Sequence, residues 1–309
     1  MSGTLPERIL KQRNELTPQV TGELIATHRV GAYHHLTFVA PGVAELAEPG
    51  QFVALAVGGD TSANLLRRCF SIHRASSIHR VSPGGTHGGT VEIVVAARGP
   101  GTRWLTSLGT HQEVSIIGPL GRPFPLPQEP VAAVLVGGGY GSAPLFWLAT
   151  ALRERGCHVE MVLGAATEDR LFGVVEARDV ADGVTVTTDD GSMGVKGWVS
   201  EVLPDVIRRS HAGVVYGCGP MAMLKSITDV ATAQGAVTHV AVEESMACGV
   251  GVCMTCVMPV IGDDGITRMV RSCVEGPIFR GDRVRWDAFD NGWCRVPGDA
   301  HGATAMGGH

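Results

Sequence analysis

Hydrophobic and polar positions alternate in short runs over the first third of the chain. Between residues 18 and 120 these runs, each bounded by Gly or Pro, read HHLTFVA, QFVALAV, CFSIHRA, TVEIVVAAR and EVSIIG. Alternation with a period of two is typical of half-buried strands, and the close spacing predicts a small antiparallel β-barrel. A β-sandwich would give a similar pattern. The Pro-rich segment at 118–130 predicts a linker to a second domain.

From residue 131 the pattern changes to apolar runs that alternate with helical segments. VAAVLV at 131–136 precedes the helical APLFWLATALRERG, and AGVVYGCG precedes the helical MAMLKSITDVATAQG. This alternation predicts a parallel α/β domain over 131–244. A small Cys-rich module follows at 245–295, where VMPVIG and ITRMVRS flank the turn DDG and predict a hairpin. Residues 1–17 and 296–309 are expected to be flexible tails.

Composition and charge narrow the functional classes. The chain has 309 residues, of which 44% are apolar, so it is long enough to bury the cores of two domains. A formal charge of −5 without a basic run argues against nucleic acid or an anionic membrane as a partner. The first residues lack an apolar signal region and the apolar runs are too short to span a bilayer, so we expect a cytoplasmic protein.

Half of the eight cysteines are crowded into one short segment. They read CGVGVCMTC followed by a fourth cysteine, which gives the spacing C-x4-C-x2-C-x16-C. This is the spacing of plant-type [2Fe–2S] sites, in which a tight loop supplies three thiolates and a separate strand supplies the fourth. The predicted metal ligands are Cys248, Cys253, Cys256 and Cys273.

A tetrahedral zinc site built from the same four thiolates is the alternative, although a zinc ribbon would need a second C-x2-C pair. Gly249 and Gly251 favour the iron–sulfur interpretation, because backbone N–H groups that turn towards sulfur need unusual dihedral angles. Cys69, Cys157 and Cys294 are expected to be ordinary small apolar residues or surface thiols.

Two Gly-rich turns each follow a predicted strand and precede a predicted helix. They are GGGYGSAPL at 137–145 and YGCGP at 216–220. Backbone N–H groups and helix N-termini at such positions bind pyrophosphate, and ligands of open α/β sheets lie at the carboxyl ends of the strands. Two such turns predict a dinucleotide crevice. Gly-rich turns without a ligand remain the alternative.

The first domain contains two further candidate phosphate contacts. LLRRCFSIH at 65–73 places a basic pair directly before a strand with an aromatic residue and a hydroxyl, and ARGPGTRWL lies at 97–105. A guanidinium binds phosphate through two parallel hydrogen bonds. A solvated Arg pair on an edge strand explains the first motif equally well.

Taken in order, LRRCFSI, RGPGTRWL, GPLGRPF, GGGYGSAPL, YGCGP and ESMACGVGVCMTC with VRSCVEGPIF resemble the ferredoxin reductase superfamily. Within it they are most similar to the electron-transfer subunits of NAD-dependent dihydroorotate dehydrogenases. The resemblance covers about residues 18–290 and implies an FAD-binding β-barrel, an NAD-binding α/β domain and a C-terminal [2Fe–2S] module.

The resemblance also assigns contacts to individual positions. Those with FAD would be made by Arg68, Cys69, Phe70, Ser71, Val94, Val95, Ala96, Gly101 and Thr102. Those with NAD would be made by Gly137, Gly138, Gly139, Gly141, Gly217, Cys218, Gly219 and Pro220. At two predicted flavin contacts the chain departs from the family, which often has Tyr-Arg where this chain has Val95 and Ala96. The four predicted cluster cysteines match the family without substitution.

The resemblance implies electron transfer in pyrimidine biosynthesis. Electrons would leave dihydroorotate through the FMN of a separate catalytic subunit, cross the [2Fe–2S] cluster and reach FAD and then NAD⁺. The partner would be that FMN-containing dihydroorotate dehydrogenase subunit, in a heterotetramer with two copies of each. The sequence lacks a convincing acid–base constellation for the substrate, and His34, His35 and His211 are expected to be surface or satisfied residues. Glu168 and Asp169 favour NAD over NADP.

Three alternatives remain open. The same module could transfer electrons for a different partner enzyme, as in a hydrogenase diaphorase subunit, a ferredoxin–NADP reductase relative or an oxygenase reductase. The chain could instead be a zinc-stabilised interaction module or a redox sensor.

Overall fold

A computed structural model describes residues 17–59, 62–77, 88–290 and 293–301 of the chain. The first part is a closed barrel of six antiparallel strands in the order β1-β2-β5-β4-β3-β6. The strands are β1 (Gln19–Val30), β2 (Tyr33–Val39), β3 (Phe52–Leu55), β4 (Arg68–Ser76), β5 (Thr90–Val95) and β6 (Glu113–Leu120). The predicted β-barrel is therefore confirmed, and the sandwich is excluded because β6 pairs with both β1 and β3.

The second part is a seven-stranded sheet in the order β10-β9-β8-β7-β11-β12-β15. Its strands are β7 (Ala132–Gly138), β8 (His158–Ala165), β9 (Gly183–Thr188), β10 (Val195–Lys196), β11 (Val214–Cys218), β12 (Val237–Ala241) and β15 (Ile278–Arg280). The first six run parallel, whereas β15 pairs with β12 antiparallel through His239↔Arg280 and Ala241↔Ile278. The predicted parallel α/β fold is thereby confirmed.

Five α-helices occur in the described part of the chain. They are α1 (Pro100–Thr106), α2 (Ala143–Glu154), α3 (Val174–Val180), α4 (Val199–Ser210) and α5 (Met221–Ala233). Helices α2 and α3 contribute to the core on the sheet face that also packs against the barrel residues Tyr33 and Val94. Helices α4 and α5 cover the opposite face. The sheet is therefore covered on both faces, as is usual for parallel sheets.

The order of the strands fixes where a ligand binds in this sheet. From β7 the chain proceeds outward through β8, β9 and β10, then returns to β11 on the other side of β7. The point where the strand order reverses therefore lies between β7 and β11. Ligands of doubly wound sheets bind in the crevice at the carboxyl ends of the strands at that point. Both predicted Gly-rich turns lie there.

The Cys-rich segment is attached to both preceding parts. The predicted hairpin is confirmed as β13 (Val257–Ile261) and β14 (Thr267–Arg271), which pair antiparallel. Strand β15 then joins the large sheet at its edge. The segment predicted as a module at 245–295 thus contributes β15 as an edge strand of the large sheet.

The last described residues fold back towards the hairpin. Asp299 accepts hydrogen bonds from the Arg285 guanidinium at 2.9 and 3.1 Å, and the His301 N–H donates to the Thr267 carbonyl at 2.8 Å. A short strand pair, β16 (Phe289–Asp290) and β17 (Trp293–Cys294), precedes this stretch. Most of the predicted flexible tails, residues 1–16 and 302–309, lie outside the described part.

We expect that Phe279→Ala destabilises the fold by about 3 kcal/mol, because the ring is buried in the core shared by β12, β15 and α5. Val237→Ala is the matched control, since Val237 is exposed at the start of β12 and should cost little. Urea denaturation followed by circular dichroism measures both. Equal stability of the two variants would show that β15 contributes little to the fold.

Candidate functional site

The four predicted metal ligands lie in the loop before β13 and at the base of the β13–β14 hairpin, where Cys253 neighbours Cys248 and Cys256 neighbours Cys273. Cys256 precedes β13, Cys273 follows β14, and the Ser272 N–H donates to the Cys256 carbonyl at 2.9 Å. Cys256 and Cys273 are each 2% exposed, whereas Cys253 is exposed and Cys248 is half-buried. Two thiols thus face the interior of the protein and two face its surface.

The loop from Cys248 to Cys256 directs backbone N–H groups towards sulfur. The Val252 N–H donates to Cys248 Sγ at 3.4 Å and the Cys273 N–H donates to Cys256 Sγ at 3.5 Å. Gly249 adopts a φ of 74°, in the left-handed region that an L side chain rarely enters, so the loop requires glycine there. Four thiols with N–H donors fit an iron–sulfur cluster.

Hydrogen bonding lowers the pKa of two of these thiols. The Thr255 hydroxyl donates to Cys253 Sγ at 3.2 Å and lowers the pKa of Cys253 to about 6. The neighbouring Cys273 thiol stabilises the Cys256 thiolate and lowers its pKa to about 6, while the same interaction raises the pKa of Cys273. The thiolate is the form of cysteine that binds metal, so these lowered pKa values favour metal binding by the loop.

The cysteine loop packs directly on the barrel. Cys256 and Cys273 share an apolar cluster with Phe52 and Ala54 of β3 and with Leu120 of β6. All eight cysteines of the chain lie in its described part and are free thiols.

Cys69 lies beside this loop. A Cβ added to Gly249 would lie 2.9 Å from Cys69 Sγ, and burial followed by the nearby cysteines raises the Cys69 pKa to about 12. The sequence pattern, which predicts an ordinary thiol at Cys69, does not predict this location beside the cysteine loop. It stands in β4, within the predicted flavin motif and next to the predicted cluster loop.

The structure separates the roles of the two adjacent arginines. Arg67 is bound to β6, because its guanidinium donates to the Ser115 carbonyl at 2.8 Å and to the Ser115 hydroxyl at 3.0 Å. Arg68 instead lies next to the start of α1, where a Cβ on Gly101 would be 3.3 Å from Arg68 Nε. The predicted phosphate contacts at Arg68 and Gly101 are therefore adjacent in space.

The side chains of the other predicted flavin contacts differ in whether they are accessible to a ligand. The Thr102 hydroxyl accepts hydrogen bonds from the N–H groups of Arg98 and Gly99, each at 2.9 Å, so it caps α1. Val95 is fully buried in the barrel core, whereas Val94 packs on the side that faces the large sheet. Ser71 is exposed, and Phe70 packs against the barrel core.

The two Gly-rich turns meet at the carboxyl ends of β7 and β11. Cys218 is opposite Gly137 in the pairing of these strands. A Cβ added to Gly141 would lie 2.8 Å from Gly219 Cα and 3.0 Å from the Cys218 carbonyl, so the backbones approach too closely for a larger residue. A cavity of about 540 Å³ opens beside them and is lined by Gly138, Gly139 and Pro220, among others.

Barrel residues that sequence reasoning missed complete this cavity. Tyr33 and Arg98 line it together with Tyr140. The Tyr33 hydroxyl donates to the Arg170 carbonyl at 2.9 Å, and the Arg98 guanidinium lies 5.2 Å from the centre of the Tyr140 ring. The barrel and the sheet thus share one crevice. These contacts join residues far apart in the chain, which local motifs do not reveal.

Burial raises the pKa of two titratable groups near the crevice. Burial, and then the charge of Glu243, raises the pKa of the Cys218 thiol. Burial likewise raises the pKa of Glu243, although the Arg98 guanidinium partly opposes the shift. Acidic residues lie farther out, where Glu168, Asp169 and Asp190 line a separate concavity at the ends of β8 and β9.

We expect that Gly141→Ala weakens NADH binding about tenfold, because overpacking between two backbone segments costs about 1–3 kcal/mol. Gly213→Ala is the matched control at the other end of β11, where an added Cβ would meet nothing within 4 Å. Calorimetric titration of both variants with NADH measures the effect. Equal affinities would contradict the assignment of the nucleotide to this turn.

Sequence comparison identifies similar proteins. The profile of the iron–sulfur cluster binding domain of dihydroorotate dehydrogenase B matches residues 243–285. The chain is 34% identical to the dihydroorotate dehydrogenase B (NAD(+)) electron transfer subunit of Desulforamulus reducens, over 82% of this chain and 93% of that protein. It is 38% identical to the subunit of the same name from Geobacillus thermodenitrificans, over 81% and 92%.

Solved structures show the same fold. An NADH-dependent reduced ferredoxin–NADP oxidoreductase, described in connection with flavin-based electron bifurcation, matches with a TM-score of 0.72 and 30% identity over 87% of this chain and 91% of that chain. A ferredoxin NADP⁺ reductase from Neisseria gonorrhoeae with bound FAD and NADP matches with a TM-score of 0.53 and 15% identity, over 70% and 92%.

Among the described residues, every helix is too short or too polar to cross a membrane. The fold resembles that of ferredoxin reductases, and the sequence similarity extends over nearly the whole length of the curated relatives. The chain belongs to the family of dihydroorotate dehydrogenase B (NAD(+)) electron transfer subunits.

Proposed function

We propose that this chain is the electron-transfer subunit of an NAD-linked dihydroorotate dehydrogenase and carries FAD and a [2Fe–2S] cluster. One observation carries the proposal: the four-cysteine loop packs on the barrel strand next to the one that bears the flavin motif. Flavin exchanges two electrons with a nicotinamide and single electrons with a cluster, so it belongs between them.

The barrel residues have distinct proposed roles towards FAD. Arg68 and the first-turn N–H groups at Gly101 and Thr102 would bind its pyrophosphate, since such N–H groups have no acceptor within the helix. Ser71 and the backbone of the β4 motif, which also includes Cys69 and Phe70, would contact the ring. At residues 94–96 we propose backbone contacts, because the Val95 side chain points into the barrel core.

The crevice between the barrel and the sheet is the proposed NAD site. The turns at 137–141 and 217–220 would bind the pyrophosphate and bring the nicotinamide beside Cys218. Tyr33 and Arg98 would close the crevice from the barrel side, where they contact Tyr140 of the first Gly-rich turn. The acidic concavity at Glu168 and Asp169 would repel a 2′-phosphate, so NAD is favoured over NADP.

The cluster ligands are proposed to be Cys248, Cys253, Cys256 and Cys273. Their thiols are free, and the hairpin positions Cys256 and Cys273 beside each other. A cytoplasmic location is proposed as well, because eight unpaired cysteines suit a reducing compartment.

The surface around the cysteine loop is the proposed docking site for the catalytic subunit. Exposed apolar side chains lie in the loop and in the segment before β4: Val250, Val252, Met254, Leu65 and Leu66. Val252 is 79% exposed and Leu65 is 91% exposed, and a group of exposed apolar side chains is typical of a surface that binds a partner. The proposed partner is the FMN-containing dihydroorotate dehydrogenase subunit, in a heterotetramer with two copies of each chain.

Co-purification with that catalytic subunit tests the function. The complex should reduce NAD⁺ with dihydroorotate, and neither subunit alone should do so. A stable complex without this activity would contradict the proposal.

A second candidate is a subunit that serves another client, which the 30% identity with the NADH-dependent reduced ferredoxin–NADP oxidoreductase favours. Reduction of ferredoxin by this chain and NADH, together with a failure to associate with the dihydroorotate dehydrogenase subunit, would support it.

We expect that Cys273→Ser removes most of the iron but retains FAD, because the thiol belongs to the cluster loop and the flavin motif lies on the barrel. NADH oxidation with a flavin-reactive dye should persist, while electron transfer to the partner should fall at least a hundredfold. Cys294→Ser is the matched control and should retain iron. Iron retained in Cys273→Ser at the wild-type level would show that this cysteine is not a ligand.

We expect that Val252→Asp weakens association with the catalytic subunit at least tenfold, since a buried unpaired carboxylate is costly at an interface. Val195→Asp is the control, because Val195 is also exposed but lies on β10 at the opposite edge of the sheet from β15. Surface plasmon resonance with the immobilised catalytic subunit measures both. An unchanged affinity for Val252→Asp would place the interface elsewhere.

A further inference from the structure

A group of side chains with metal-ligating atoms lies on the barrel, where it meets α2 and α3. His35 of β2, His73 of β4 and Glu92 of β5 present ligand atoms that all lie within 4.8 Å of one another. Strands β2, β5 and β4 are neighbours in the barrel, which brings together residues that are far apart in the sequence. This group is separate from the cysteine loop.

The hydrogen bonding of His73 fixes which of its nitrogens is available. His73 Nδ1 lies 2.7 Å from the Ala143 carbonyl, which only accepts, so Nδ1 carries the hydrogen. In the neutral ring Nε2 then presents a lone pair. A histidine whose second nitrogen donates to a carbonyl is the usual arrangement for a metal ligand.

His73 Nε2 faces another acceptor. Glu176 Oε1 of α3 lies 3.5 Å away, and the His73 side chain is 2% exposed. A neutral imidazole nitrogen and a carboxylate oxygen repel each other at this distance unless a cation or a proton lies between them. The contact is therefore favourable when a cation lies near Nε2 or when His73 is protonated.

His35 has a similar arrangement on the other side of the group. Its Nε2 lies 2.9 Å from Glu92 Oε2, and its Nδ1 lies 3.1 Å from His28 Nε2. When His35 Nδ1 donates its hydrogen to His28, the lone pair of His35 Nε2 faces Glu92 Oε2.

Glu176 lies beside this group and has a second partner. The Arg74 guanidinium lies 3.0 Å from the same oxygen, Glu176 Oε1.

We propose that His35, His73 and Glu92 bind a divalent transition-metal ion, for which Zn²⁺ is best suited, with water as the fourth ligand. Two imidazoles and one carboxylate are a common set of protein ligands for zinc, and bonds of about 2.1 Å hold the ligand atoms of a tetrahedral site about 3.4 Å apart. His35 Nε2 and Glu92 Oε2 are 2.9 Å apart, and all three ligand atoms lie within 4.8 Å of one another. Such an ion would link strands β2, β4 and β5 of the barrel and would have a structural role.

The test uses the protein with FAD and its iron–sulfur cluster in place, because vacant cluster thiols would themselves bind zinc. After equilibrium dialysis against Zn²⁺, mass spectrometry should find one zinc per wild-type chain. The double variant His35→Gln/Glu92→Gln should bind none. The midpoint of thermal unfolding should rise by about 4 °C with Zn²⁺ in the wild type only.

His158→Gln is the matched control. His158 also lies near two carboxylates, but its ring nitrogens face different ones, Glu160 at 3.4 Å and Asp182 at 3.5 Å, so they cannot share one ion. This variant should keep the zinc.

X-ray absorption at the zinc edge of the wild type does not depend on any variant folding. Nitrogen and oxygen ligands without sulfur support the proposal, and sulfur ligands overturn it. A wild-type protein that binds no zinc also overturns it and leaves a protonated His73 as the explanation of the short approach to Glu176.

Discussion

The packing of the cysteine loop on the barrel is the contact on which the rest of the arrangement depends. Cys256 and Cys273 bury their side chains against Phe52 and Ala54, and Gly249 leaves room for the Cys69 thiol. A larger residue at Gly249 would push the loop away from β4. The contact therefore fixes the distance between the proposed metal-binding loop and the strand that carries the predicted flavin motif. The proposed electron transfer depends on that distance.

The edge strand β15 supports this contact from the other side. The chain leaves Cys273 and pairs with β12 only five residues later, so the sheet holds the segment that carries the fourth cysteine. The nucleotide crevice lies in the same sheet, at the strand reversal between β7 and β11. One set of packed strands therefore positions both ends of the proposed electron path, with the barrel between them.

Local patterns predicted much of this structure. The hairpin around Asp263–Gly265 and the two Gly-rich turns were recognisable because turn chemistry depends on adjacent residues. The partners of Cys69 and His35 were not recognisable, because they come from other strands and depend on register and barrel closure. The pairing of β15 with β12 has no local signal either. The individual cofactor contacts remain predictions, although Arg68 and Gly101 do lie together.

The most direct test of the central claim is rapid mixing of the isolated chain, loaded with FAD and its cluster, with NADH under anaerobic conditions. Flavin absorbance and the electron paramagnetic resonance signal of the reduced cluster should be followed together. The account predicts that NADH reduces the flavin first and that the cluster signal then appears at a rate no slower than turnover, without the partner. Reduction of the flavin while the cluster stays oxidised would contradict it.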